Sequence, residues 1–194
     1  ANNVGVDDAH NVSAQVSTSD EYAVLGSNQV NFGDINAGSS ITAGSIDMMI
    51  AHNVPDGHQV SLSVLFDSDE GQWEGNFNIP IYAPSLTVSN PSFVDFGGDG
   101  IWDAGESIMV SVLLNNEGST ANYSYPGVVL SENSDEASMP DGYEFFWFYG
   151  IEPGMSMAAT FEVTASENAN MGSEVNFTAY ATELNCEENC IESE

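Results

Sequence analysis

The chain has 194 residues, 42% of them hydrophobic, with 30 Asp and Glu, no Lys, no Arg and a formal charge of -30. Average usage would supply roughly 20–25 basic residues, so nucleic-acid binding, docking on an anionic membrane and a Lys or Arg phosphate clamp are all excluded. The apolar content suffices for a core in one large domain or two small ones, no apolar run of about 18 residues spans a membrane, and a single-signed charge suits a saline extracellular setting.

In chain order, the first marker is the turn Asn3-Val4-Gly5. Ile46, Met48 and Ile50 alternate, which predicts a strand. Pro55-Asp56-Gly57 turns the chain into a second alternating run, Val60, Leu62, Val64 and Phe66. Asp67-Ser68-Asp69-Glu70-Gly71 reads as an acidic hairpin loop before Phe77, Ile79 and Ile81. Leu86-Thr87-Val88 begins another strand, followed by an acidic glycine-rich loop and by Ile108, Val110, Val112 and Leu114. Pro140-Asp141-Gly142 precedes an aromatic run, and Glu152-Pro153-Gly154 precedes Met155, Met157, Ala159, Phe161 and Val163. Val175, Phe177, Ala179 and Ala181 close the series. Helical periodicity is nearly absent. Short alternating strands between such turns predict an all-β fold of antiparallel β-sandwiches.

The sequence repeats itself. Phe32–Ser40 matches Phe148–Ser156 at an offset of 116, Gly57–Leu62 matches Gly172–Phe177 at 115, and Asn3-Val4-Gly5 matches Asn116-Glu117-Gly118 at 113. Two tandem modules are expected, 1–84 and 85–194. The first lacks its N-terminal strands, because nothing in it corresponds to the stretch from Ser85 to Asn116. The second lacks its last strand, because Trp73–Tyr82 has no counterpart after Glu183. The gaps must be filled by the rest of a longer natural chain, by a neighbouring subunit's strand, or by a rearranged sandwich. No signal peptide is visible, which fits a mature or excerpted chain.

These blocks resemble the immunoglobulin-like β-sandwich modules found C-terminal to gingipain-type cysteine proteases and in other secreted surface proteins of Bacteroidetes-like bacteria. The residues that carry the resemblance are Asn3-Val4-Gly5 with Ala9-His10-Asn11-Val12, Ser17-Thr18-Ser19-Asp20-Glu21-Tyr22 and Phe32–Gly38. In the second module they are Gly98-Asp99-Gly100, Gly105-Glu106, then Val110, Val112 and Leu114-Asn115-Asn116-Glu117-Gly118. The chain departs from the family at Asp103-Ala104-Gly105-Glu106, where Asn-Pro-Gly-Glu is the family's form. The resemblance implies a non-catalytic module and imports no protease activity.

The acidic loop is the best candidate site. Asp95, Asp99, Asp103 and Glu106 lie within one glycine-spaced turn, and Ca²⁺ takes six to eight oxygens from such groups. The bland reading is a solvated turn. In the aromatic run, alternation puts Phe146 and Phe148 on one face and Phe145, Trp147 and Tyr149 on the other. One face must be core, and the other is read as a protein interface, with glycan stacking as the alternative. Cys186 and Cys190 form either a local disulfide or a pair of free thiols. No catalytic constellation is present. The expected function is a non-catalytic extracellular building block of a filament or surface layer, assembled through β-sheet edges. Its partners are further copies of itself or the remaining repeats of a longer parent chain. The alternatives are a passive spacer or adhesion module of a large secreted protease or hydrolase, and a carbohydrate-binding module.

Overall fold

The computed structural model describes residues 1–132, 134–139 and 143–184. Every regular element among them is a β-strand, and every pairing is antiparallel. The all-β expectation holds. The chain divides into two compact units, Ala1–Ile81 and Tyr82–Glu194.

Unit 1 contains β1 (Ala9–Ser17), β2 (Ala23–Leu25), β3 (Gln29–Ile35), β4 (Met48–Ile50), β5 (Gln59–Ser68) and β6 (Gly71–Pro80). Four of them form a sheet in the order β3-β1-β5-β6, and β2 pairs with β4 in a second, two-stranded layer. Strand β5 follows the two-residue period. Val60, Leu62 and Val64 point inward and are buried with Ala14, Val16 and Ala23. The β5–β6 hairpin is in register from Gln59↔Pro80 to Ser68↔Gly71, so the acidic Asp69-Glu70 pair is its turn.

Unit 2 contains β7 (Leu86–Asp95), β8 (Ser107–Asn116), β9 (Pro126–Glu132), β10 (Ala137–Ser138), β11 (Tyr143–Trp147), β12 (Ser156–Ala165) and β13 (Phe177–Glu183). A four-stranded sheet, β10-β12-β8-β7, faces a three-stranded one, β11-β9-β13. Four and three is the strand split of an immunoglobulin constant-type sandwich. Ile108, Val110, Val112 and Leu114 from one layer share a core with Val128, Leu130 and Ala181 from the other. Strand β9 is buried on both faces. Gly127 permits this: a Cβ there would lie 2.3 Å from Cε3 of Trp147, whose ring covers the strand.

Two strands carry bulges. Asn11 (φ 54) sits in the register shift between Ala9 and Val12, and Asn90 (φ 53) in the one between Ser89 and Ser92. Asparagine tolerates this left-handed conformation better than most residues. Pro91 lies in the second bulge, where its missing N–H breaks no ladder.

Candidate functional site

The two Asn-x-Gly turns have nearly the same geometry. Asn116 is 1% exposed; its Nδ2 donates to the carbonyls of Thr120 (2.8 Å) and Ile151 (3.2 Å), and its Oδ1 accepts the Gly118 N–H at 3.0 Å. Asn3 Nδ2 donates to Asp7 (2.9 Å) and Ile35 (3.0 Å), and its Oδ1 accepts the Gly5 N–H at 2.9 Å. Asn116 makes one further bond, accepting the Ser85 N–H at 3.1 Å where the chain enters β7. A Cβ on Gly118 would lie 2.3 Å from the Ala83 carbonyl oxygen, because that segment crosses the turn. Nothing crosses Gly5; beyond its neighbour Asn3, the nearest atom to a Cβ there is the Asp7 carbonyl oxygen at 3.9 Å.

The same contrast runs along the second layer. In unit 2, β12 pairs with β8 from Ser156↔Asn115 to Thr164↔Ser107. In unit 1 the equivalent ladder is present as far as Ala1, the first residue of the sequence: Asn2 bridges Ser40, and Ala1 and Ile41 exchange bonds of 2.8 and 2.9 Å. From Thr42 to Asp47 no strand forms, and β4 is only Met48–Ile50, held from its other side by Ala23↔Ile50. Unit 2 has the equivalent pair, Ala137↔Ala165. By that register Ile46, Met48 and Ile50 occupy the places of Phe161, Val163 and Ala165. Phe161 and Val163 are 2% and 0% exposed; Ile46, Met48 and Ile50 pack on the unit 1 core but stay half-buried. Full burial of such a side chain is worth about 1.5–3 kcal/mol, and part of it is not collected here. A cavity of about 460 Å³ lies in the same unit, lined by Asn3, Val4, Val12, Ile35, Phe66 and Trp73. The alternation at 46–50 and the lack of a counterpart to β7 and β8 in unit 1 were both legible in the sequence; which side chains this leaves half-buried was not.

The acidic loop is organised by its own backbone. Asp95 Oδ1 accepts the Gly97 N–H at 2.7 Å, and Oδ2 accepts those of Gly98 and Gly100, both at 2.9 Å. These donors, Gly100 foremost, hold the Asp95 carboxyl below the usual range. Glu106 lies over Gly97 and accepts the Asp103 N–H at 3.1 Å, while Asp99 accepts the Ile101 N–H at 2.9 Å. The loop therefore brings Asp95 and Glu106 together at Gly97. Among the described residues no three His, Cys, Asp or Glu side chains converge as metal ligands. As folded, Asp95, Asp99 and Glu106 are engaged by backbone N–H groups of the loop itself.

The aromatic run alternates as its sequence predicts. Phe148 is buried and Phe146 packs against the unit 2 core. Phe145 and Tyr149 are 50% and 89% exposed. Phe145 stacks on Trp147 with centroids 5.6 Å apart and planes at 12°, and Tyr125 approaches Tyr149 at 6.2 Å. Without Lys or Arg, histidine is the one side-chain type in the chain with nitrogen that can face a carboxylate as an ion-pair partner. His10 Nδ1 lies 2.7 Å from Glu70 Oε1, and His58 Nε2 lies 2.8 Å from Asp20 Oδ2. The expected turn at 140–142 and both cysteines, Cys186 and Cys190, lie outside the described residues.

Neither a protein-family model nor a curated protein matches the chain. Solved structures do match. One is a pre-assembly complex of the chaperone CsuC with the tip adhesion subunit CsuE, from archaic chaperone-usher Csu pili of Acinetobacter baumannii. It is 12% identical, covering 98% of this chain and 87% of that one, with a TM-score of 0.22.

Proposed function

We propose that this chain is a non-catalytic extracellular building block, assembled through the open β-sheet edge of unit 1. One observation supports it above the others. Ile46, Met48 and Ile50 are half-buried where Phe161, Val163 and Ala165 are sealed beneath the β8 ladder. An apolar face that no strand covers favours the addition of another strand, from the remaining repeats of a longer chain or from a neighbouring copy. The -30 charge supports the extracellular part of the reading, since salt is needed to screen it. The exposed rings of Phe145 and Tyr149, with half-buried Trp147 stacked on Phe145, favour a second contact surface, to a protein or to a glycan. A structural Ca²⁺ at Asp95, Asp99, Asp103 and Glu106 belongs to the same proposal; it would have to draw Asp95 and Glu106 off the amides they now cap.

Sedimentation and electron microscopy of the full chain over a concentration series test the assembly. Association is expected through the open face, with Ile46→Asp and Met48→Asp abolishing it. A monodisperse, cooperatively folding monomer at every concentration overturns the reading.

A further inference from the structure

We infer that the outer face of the three-stranded sheet β11-β9-β13 binds a neutral polysaccharide, whose sugar rings stack on Phe145, Trp147 and Tyr180. This rests on the second contact surface proposed above and names its partner. The register assembles the face. Phe145 lies opposite Val129, and Val129 opposite Tyr180; one step along, Trp147 lies opposite Gly127, and Gly127 opposite Thr182. Their chain neighbours Phe146, Val128, Leu130 and Ala181 belong to the unit 2 core, so the two-residue period of a strand turns this set outward. Phe145 is 50% exposed, and Trp147 and Tyr180 are half-buried.

Unit 1 supplies an internal control. Its sheet has the same two rows: Gln29 and Leu65 flank Gln15, and Asn31 and Asp67 flank Ser13. At the repeat offset of 116, Gln29 and Asn31 stand where Phe145 and Trp147 stand; at 115, Leu65 and Asp67 stand where Tyr180 and Thr182 stand. The sandwich therefore forms this face with no ring on either row, and the rings of unit 2 are not a requirement of the fold. The backbone seats them. Gly127 leaves the space that Trp147 covers, and Phe145 and Trp147 hold their planes 12° apart. Where the run ends at Tyr149, Tyr125 adopts φ 52, a conformation that bulky residues rarely enter, with its ring 6.2 Å from that of Tyr149. Backbone strain of this kind gathers at binding sites.

Charge and size select the partner. Among the described residues, no outward position of the three strands carries Asp, Glu or His; Ser131, Thr178 and Thr182 stand beside the rings. A second copy of the chain would bring a charge of -30 with no Lys or Arg to pair it. A basic protein would find no carboxylate on the face. From Phe145 to Tyr149 the face runs about 14 Å, and across its three strands about 10 Å. A stable protein interface takes roughly 800 Å² from each partner, several times more. A neutral polysaccharide fits both limits: it is uncharged and narrow, its C–H faces lie on aromatic rings, and its hydroxyls reach the flanking Ser and Thr.

The test is affinity electrophoresis of the full chain in native gels containing hydroxyethylcellulose, galactomannan or xyloglucan, with alginate as the anionic comparison. At least one neutral polysaccharide is expected to retard the chain, and alginate is not. Phe145→Gln and Trp147→Asn install the unit 1 residues, and each should raise the dissociation constant at least about tenfold, as truncating an aromatic anchor does. Trp147 also covers Gly127, so its variant is read beside a melting curve; Phe145→Gln, on an exposed ring, decides the matter if Trp147→Asn unfolds. Retardation that the folded variants leave intact overturns the site. Equal retardation by alginate overturns the choice of a neutral partner. No retardation in any gel, with Phe145→Gln weakening self-association in sedimentation, overturns the polysaccharide and leaves a protein contact surface. No retardation and no change in association overturns the contact surface as well.

Discussion

Units 1 and 2 apply the same local rules to different completeness. Both hold an Asn-x-Gly turn through the same three side-chain bonds, and both pair a short strand with the end of a longer segment at Ala23↔Ile50 and Ala137↔Ala165. In unit 2 that longer segment is a ten-residue strand, β12; in unit 1 three residues of it are strand. The sequence pattern is not the cause, because Ile46, Met48 and Ile50 alternate as cleanly as Phe161, Val163 and Ala165. The difference is the hydrogen-bonding partner. β propensity describes fitness for a pleated, half-buried surface, and without β8 that surface is absent. A strand is thus a property of the pair.

Truncations at matched positions should break this comparison most sharply if it is wrong. Phe161→Ala empties a sealed site and should cost unit 2 about 3–5 kcal/mol. Ile46→Ala should cost unit 1 about 1 kcal/mol, since much of that side chain already meets water. Denaturant unfolding followed at Trp102 for unit 2 and Trp73 for unit 1 measures both; equal losses would mean that the unit 1 face is closed. Next come the two asparagines. Asn116→Ala orphans the N–H groups of Ser85 and Gly118 and the carbonyl of Thr120, and leaves the Ile151 carbonyl with the Asn122 N–H alone, in a largely buried site; it should cost about 2 kcal/mol. Asn3→Ala leaves water free to replace what is lost and should cost about 0.5–1 kcal/mol by the same measure.

Much of this was legible in the sequence, and the gaps have physical causes. Ile108 to Leu114 and Val60 to Val64 announce half-buried strands by their period of two. Strand β9 hides its alternation because Trp147 covers Gly127 on the face that would otherwise be wet. The bulges at Asn11 and Asn90 shift register without changing composition. The acidic loop reads as a ligand set, yet Asp95, Asp99 and Glu106 accept backbone N–H groups of the loop, which a list of side chains does not count. Asn3 and Asn116 stood out only as markers of a repeat. Their role as hydrogen-bond hubs depends on Ile35 and Ile151, far along the chain.

The acidic loop gives unit 2 a feature that unit 1 does not share, and its expected effect is smaller. Asp95→Ala removes the acceptor of three backbone N–H groups and should lower the melting temperature of unit 2 alone, with or without calcium. The calcium proposal adds a separate outcome. At fixed ionic strength, Ca²⁺ should raise the melting temperature of unit 2 relative to chelator, by linkage to the folded state, and Asp99→Ala should remove the rise. Superimposed curves with Ca²⁺ and with chelator leave an amide-capped turn and nothing more.

The smallest effect separates the units by pH. All three histidines, His10, His52 and His58, lie in unit 1. The turn between β5 and β6 is tied to β1 by Glu70, which accepts the His10 backbone N–H at 2.9 Å and faces its ring at 2.7 Å. Those two bonds, the backbone one first, pull the Glu70 carboxyl from 4.5 down to about 2. The Glu70 hydrogen bond and charge, with Asp34 and Asp8 nearby, raise His10 above 6.5. The signs differ. Glu70 is depressed, so its contribution is present above 4.5 and is lost as pH falls toward about 2. His10 is raised, so its contribution is complete below 6.5 and is lost as pH climbs through its folded value. The pair is at full strength between those limits. Both side chains are well exposed, so water and salt screen the interaction and the change is slight. Unit 1 should therefore lose a little stability from pH 6 to pH 8, and His10→Gln should reduce that slope. Unit 2, with no histidine, should hold its value over the same range. A slope in unit 1 that His10→Gln leaves intact would show that the His10–Glu70 contact is not its source.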